Sequence, residues 1–233
     1  MIPADKSAFL TWFLARDAES RLRRSFHAWH VHGVERLRTI LATRPVLVVS
    51  NHTSWWDPIV VQWLCHRVLR CDAHAMMDAK NLERLPFFRK VGAFGVDLAS
   101  ARDGVRAIRY SARLLDRPGR LVWIFPQGKE TPLTRPLEFR AGAAAIARSA
   151  AGAAVVPIGL RYEMAGTPRP ELWVSIGDAL EAGDARQQEA AVARELARIE
   201  GGLETLDFPV LHRTSESGLS RLAEASLAWL TRP

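Results

Sequence analysis

The sequence predicts an α/β domain: a mixed, largely parallel sheet flanked by helices, with amphipathic helices at its N-terminus. Three observations predict it. Short β-branched runs alternate along the chain with stretches of helical periodicity. The two sharpest motifs each sit where a strand-like run ends, which is where open α/β sheets gather their sites. The chain has 233 residues, 48% of them hydrophobic, enough for one domain with a sizeable core.

Taken in order, residues 7–43 read as one or two helices. Leu22, Phe26, Trp29, Val34, Leu37 and Leu41 fall near helical spacing, and Arg21, Arg23, Arg24, Arg36 and Arg38 take the other faces. Ahead of them Phe9, Leu10, Trp12, Phe13 and Leu14 form a dense apolar cluster. An apolar stripe with Trp and Arg is what an interfacial helix needs, one face in the acyl boundary and guanidinium groups at lipid phosphates. The same stripe also serves a helix packed on its own domain. On this reading 1–44 is an amphipathic helical segment suited to a membrane surface, and 45–233 is the α/β domain with C-terminal helices.

Residues 45–50 are a β-branched run and predict a buried strand. Helix is predicted for 57–69, 81–90, 103–115 and the Ala-rich 139–150, strand for 72–77, 93–98, 120–125, 155–163 and 172–176. Two helices, 185–206 and 216–230, close the chain, the first as domain cover and the second bringing Trp229 and Leu230 against the core or a neighbour.

The net charge is +7, from 32 Lys and Arg against 25 Asp and Glu, which favours anionic partners. Nucleic acid is not expected as a partner: the chain lacks a basic region with regular aromatic interleaving, a zinc pattern and an RNA-binding aromatic motif. No run of about 18 apolar residues exists to span a bilayer; residues 141–160 come closest and are interrupted by Arg148 and several glycines. The N-terminus lacks the ordered parts of a signal peptide. These points predict a cytoplasmic protein, peripheral to the inner face of the cell membrane. Cys65 and Cys71 are too few for a disulfide framework. With His66 and His74 they fit no common zinc spacing, so no metal is expected.

The strand at 46–50 runs directly into Asn51-His52-Thr53-Ser54-Trp55-Trp56-Asp57-Pro58. Neutral imidazole accepts a proton near pH 7, and a carboxylate on its other nitrogen fixes the tautomer and stabilises the imidazolium. A turn across the four residues between His52 and Asp57 brings the two side chains together. Such a pair activates a hydroxyl without an enzyme nucleophile. Asp57 before Pro58 reads equally as a helix N-cap with proline at the first helical position, and one carboxylate can serve both purposes. The second motif, Trp123-Ile124-Phe125-Pro126-Gln127-Gly128-Lys129, is a strand end and a tight turn whose glycine lets backbone N–H groups approach a ligand. A plain β-turn has the same pattern, and the spacing is not that of a P-loop.

Together these segments resemble the glycerolipid acyltransferase family, best known for lysophosphatidic acid acyltransferases. His52 to Asp57 is similar to its H-x4-D block, and Ala79-Lys80-Asn81-Leu82 with Leu85-Pro86-Phe87-Phe88 and Val91-Gly92 to its second region. Phe125-Pro126-Gln127-Gly128 resembles F-P-E-G, Phe139-Arg140-Ala141-Gly142-Ala143 resembles F-K-x-G-A, and Val155-Val156-Pro157-Ile158 resembles V-V-P-V. Five blocks in order, over roughly residues 45–163, are far more specific than any one.

The resemblance implies transfer of a fatty acyl group from an acyl thioester, on CoA or acyl carrier protein, to a lipid hydroxyl, with no cofactor. It implies His52 as general base, Asp57 as its orienting partner, and Lys80, Arg102, Phe125, Pro126, Gln127, Gly128 and Arg140 as substrate-binding candidates. A membrane surface and a lipid acceptor are the implied partners. The departures bear on the acceptor. Gln127 stands where the family has Glu, Lys129-Glu130 where it has Thr-Arg, and Asp97-Leu98 where it often has Asp-Arg. The family associates those Arg positions with the acceptor phosphate, and neither Leu nor Glu can grip phosphate as a guanidinium does. Arg102, Arg135 or Arg140 could compensate; otherwise the acceptor is not ordinary lysophosphatidic acid. A thioesterase-like hydrolase using the same pair on water, or a non-catalytic lipid binder, are the alternatives.

Overall fold

A computed structural model describes residues 1–150, 152–164, 166–180, 183–205 and 207–214. Among these residues lies one eight-stranded sheet, in the order β4-β3-β5-β2-β6-β7-β1-β8. Its strands are β1 (Ala28–His32), β2 (Val46–Ser50), β3 (Asp72–Asp78), β4 (Ala93–Val96), β5 (Arg120–Ile124), β6 (Ala154–Glu163), β7 (Glu171–Ile176) and β8 (Val210–Arg213). Strands β4, β3, β5, β2 and β6 are mutually parallel; β7 runs antiparallel to β6 and β8 to β1. The helices are α1 (Ala8–Ser25), α2 (Val34–Thr43), α3 (Asp57–Trp63), α4 (Ala79–Arg84), α5 (Ala101–Leu114), α6 (Gly142–Ser149) and α7 (Ala185–Thr205).

Period-two alternation sorts the core into two layers. Val46 and Val48 of β2 pack with Leu22, Leu37 and Val60, on the side of α1, α2 and α3. Leu47 and Val49 pack with Ile146 and Val192, on the side of α5, α6 and α7. Buried on both faces, β2 has to be apolar at nearly every position, as parallel central strands are.

The N-terminal segment differs from the expectation in a way that matters. Residues 28–32 are strand, not helix, and pair with β7 in the same sheet as β2. Gly33 explains the break: its φ of +83° is left-handed, and a Cβ there would stand 2.3 Å from the Ile176 carbonyl oxygen. The stripe of Leu22, Phe26, Trp29, Leu37 and Leu41 is wholly buried in the domain. The arginines between are mostly engaged as well, Arg21 with Asp17, Arg23 with Glu19, Arg36 with Asp178 and Arg38 with Glu35. Helix α1 turns Thr11, Ala15, Ala18 and Leu22 inward; what it leaves in solvent is the Phe9, Trp12 and Phe13 cluster, 68%, 53% and 52% exposed. Among the described residues no helix is long and apolar enough to cross a membrane.

Smaller differences have local causes. The helix expected at 57–69 becomes a single π turn after Trp63. That expected at 81–90 breaks at Pro86, which bars Leu85 from helical angles. β8, absent from the sequence reading, is a four-residue edge strand. Leu206, the helix expected at 216–230, and with it Trp229 and Leu230, lie outside the described residues.

Cys65, Cys71, His66 and His74 do gather between the π turn and β3, but with Lys6, whose ammonium bonds Asp72 (2.7 Å) and the Ala73 carbonyl (2.8 Å). No group of three or more His, Cys, Asp or Glu among the described residues is arranged to hold a metal. Burial, aided by Lys6, pushes His66 and His74 each down from 6.5 to about 4. The unfolded chain therefore binds protons near 6.5 that the folded chain refuses until about 4. Stability should be full above pH 6.5 and fall as pH drops toward 4, by at most roughly 3 kcal/mol per histidine. Denaturant midpoints at pH 7 and 4.5 measure this. His74→Gln should shrink the difference; an unchanged difference rejects the account.

Candidate active site

β2 ends at Ser50 on the carboxyl edge of the parallel strands, and the chain needs only six residues to turn into α3. Asn51, fully buried, closes the seam: its side-chain amide donates to the Leu160 carbonyl and its oxygen accepts from the Leu160 N–H, both at 2.8 Å. Ser50 accepts from the Trp123 indole at 2.8 Å. The backbone of His52 is then held on both sides. Its N–H donates to Gln127 Oε1 (2.8 Å) and its carbonyl accepts from Thr131 (2.8 Å). Those two contacts come from the turn after β5, because β5 is the parallel neighbour of β2.

The side chains of His52 and Asp57 meet: Nδ1 lies 2.6 Å from Oδ2. A carboxylate only accepts, so Nδ1 carries the hydrogen, and in the neutral ring the lone pair is on Nε2. Asp57 is fully buried while the imidazole is 18% exposed. The carboxylate is compensated by further donors, the N–H groups of Thr53 (2.8 Å) and Ser54 (3.1 Å) on Oδ2 and the Tyr162 hydroxyl (2.6 Å) on Oδ1. With His52 that makes four donors, so the buried carboxylate is fully met by hydrogen bonds. The N-cap of α3 is Trp56, not Asp57, which is the first helical residue; its carboxylate takes the N–H groups of the preceding turn and orients His52 instead of capping the helix. Phe125 stacks on the imidazole, centroids 4.3 Å apart and planes 23° from parallel, which fixes the ring about its own axis.

The turn after β5 is closed by Gly128 N–H on the Phe125 carbonyl (3.0 Å) and Arg140 N–H on the Pro126 carbonyl (3.1 Å). Gly128 has φ +73°, the left-handed region that favours glycine, and a Cβ there would come 3.3 Å from the Arg140 guanidinium carbon, so Arg140 lies across the turn. Gln127 is buried and holds His52 from behind. Lys80 and Arg102 are on the surface, at the start of α4 and of α5, two and three strands along the carboxyl edge from β2. At the usual strand spacing β3 and β4 themselves lie about 10 and 14 Å from β2. Lys80, Arg102, Arg135 and Arg140 make no ion pair among the described residues, unlike the arginines of α1 and α2. Glu130 and Leu98, at the two positions where arginine was expected, are exposed.

Sequence reasoning missed Tyr162. Its signal was the alternation of β6: Ala154, Val156, Ile158 and Leu160 face α3, so residue 162 follows them to that side with a polar tip that needs a partner.

A sequence profile described as Acyltransferase matches residues 28–161. The fold is similar to that of the crystal structure of the 1-acyl-sn-glycerophosphate (LPA) acyltransferase PlsC from Thermotoga maritima. The two share 18% identity at a TM-score of 0.58, over 88% of this chain and 81% of that one; at that identity the likeness is one of fold. No curated protein sequence matches the chain.

Proposed function

The chain belongs to the acyltransferase family, and from that premise we propose that it moves a fatty acyl group from a thioester to a glycerolipid-class hydroxyl, with His52 as general base. The observation that carries this is the imidazole whose Nδ1 is tied at 2.6 Å to a fully buried carboxylate while the ring keeps an open side. Nε2 takes the acceptor hydroxyl's proton as that oxygen attacks the thioester carbonyl. Asp57 steadies the imidazolium. The tetrahedral intermediate then expels the thiolate, the C–S bond breaks, and His52 returns the proton to sulfur. The carrier is CoA or acyl carrier protein, both of which bring phosphate, and Lys80, Arg102 and Arg140, which make no ion pair among the described residues, suit it.

The acceptor we assign is a lipid hydroxyl without the adjoining phosphate, because Glu130 and Leu98 occupy the two positions where the family's arginines would meet one. Purified protein given acyl-CoA or acyl-ACP with either lysophosphatidic acid or a monoacyl or glycosylated lipid tests both points. Acylated phosphate-free lipid is the expected product. Free fatty acid as the main product would instead make it a hydrolase, and preference for lysophosphatidic acid would reject the acceptor.

The site is served from a membrane surface, at the inner face of the cell membrane. Support comes from Phe9, Trp12 and Phe13, all exposed, Phe9 stacked against each of the other two, with Arg16 over the Trp12 ring (5.2 Å). Partitioning of two such rings is worth about 3 kcal/mol or more. The double variant Trp12→Ser, Phe13→Ser should therefore co-sediment with anionic vesicles at least about 100-fold more weakly. Equal binding by the two proteins excludes this face.

A further inference from the structure

The two oxygens of Asp57 are served from different parts of the chain. Oδ2 takes the local donors, His52, Thr53 and Ser54; Oδ1 takes the Tyr162 hydroxyl at 2.6 Å, across 105 residues. Tyr162 lies one residue beyond the segment matched by the family profile. It is the last inward-facing position of β6, two residues after Leu160, whose peptide groups are bound by Asn51. Its ring lies 5.7 Å from that of Phe26, which meets Trp56 edge-on at 5.0 Å. The hydroxyl thus enters an apolar surround in which Asp57 is its partner. Burial and that carboxylate push the phenol well above its ordinary range, so it stays a donor.

The geometry points to Tyr162 as a positioning residue of the dyad: its hydroxyl holds Oδ1, keeps Oδ2 aimed at His52 Nδ1, and draws off part of the carboxylate's charge. This rests on the proposed role of His52. A carboxylate with one donor fewer is a stronger partner for an imidazolium, so without the hydroxyl His52 should hold its proton to higher pH. Among the described residues the titratable groups bonded to the carboxylate are His52 from its own turn and Tyr162 from β6. Around these two lie the rings of Phe26 and Phe125 and the neutral Gln127; Lys129 and Arg140 of the β5 turn are exposed, and Arg161 is engaged with Glu163 and Glu200.

Tyr162→Phe keeps the ring and removes the donor. The expected result is a kcat about tenfold lower with KM changed less than about twofold. The acidic limb of kcat/KM should move upward by about half a pH unit or more, matched by the His52 titration followed by NMR in the free protein. A second reading needs no mutation at 162. In a Tyr110→Phe background, 3-fluorotyrosine labels Tyr162 alone, since the chain has 2 tyrosines; a more acidic donor should move the His52 titration downward. The titration requires no substrate, so it stands even if acyl transfer itself is not found. If neither substitution moves it, or if Tyr162→Phe retains full kcat, Tyr162 is ordinary filling and the inference fails.

Discussion

Replacing His52 by alanine should lower kcat for acyl transfer by at least about 10³-fold with little change in KM or in stability. General-base catalysis by a positioned side chain contributes roughly 10²–10⁴-fold, and in the proposed mechanism the imidazole is also the proton's route back to the leaving thiolate. Stability should survive because the substitution spares the backbone contacts. The N–H to Gln127 and the carbonyl to Thr131 remain, and Asp57 Oδ2 keeps Thr53 and Ser54. What is lost is one hydrogen bond and the stacking on Phe125. Initial rates at saturating donor and acceptor, with denaturant midpoints alongside, measure both. A variant that retains a tenth of the wild-type rate would show that the hydroxyl is activated elsewhere.

Asp57 separates orientation from scaffold. In Asp57→Asn the amide oxygen can face Thr53, Ser54 and His52 while its NH₂ faces the Tyr162 hydroxyl, which accepts as readily as it donates. The donors stay met, so the fold should lose no more than about 2 kcal/mol, but the neutral amide cannot stabilise an imidazolium, and kcat should fall about 10²–10⁴-fold. Asp57→Ala leaves buried donors with no acceptor and should cost about 3–5 kcal/mol as well. A structural Asp57 would give the opposite ranking, with the asparagine variant near full activity.

The central strands were legible because a strand buried on both faces has to be written in consecutive β-branched and aliphatic residues; 46–50 and 154–158 are such runs. β1 was not, because its apolar residues sit at spacings that a helix shares; only Gly33, forced left-handed against Ile176, divides the segment. β8 is four residues at an edge, too short to carry a pattern. At the site, the pairing of His52 with Asp57 was readable as local spacing. That Phe125 and Gln127 would reach His52 was not, since it depends on β2 and β5 being neighbours, a fact of sheet order. The turn pattern shows a polar side chain at Gln127 but not that it reaches back to the His52 N–H. Tyr162 was hidden by distance along the chain. The arginine-rich N-terminal stripe misled for a physical reason: a face that suits lipid also suits a protein core, and here the core takes it.

The double hydrogen bond between Asn51 and Leu160 has a mechanical consequence. A side-chain amide standing in for a peptide unit grips one particular residue of the neighbouring strand. Sliding β6 by a single position would break both bonds at once and, strand alternation being what it is, point the phenol at 162 toward the opposite layer. Sheet alignment and the aim of the imidazole are therefore one variable. A chain mispaired along this seam would keep its hydrophobic interior but lose the Tyr162 contact to Asp57, so the same two bonds that set strand alignment also set what reaches the carboxylate.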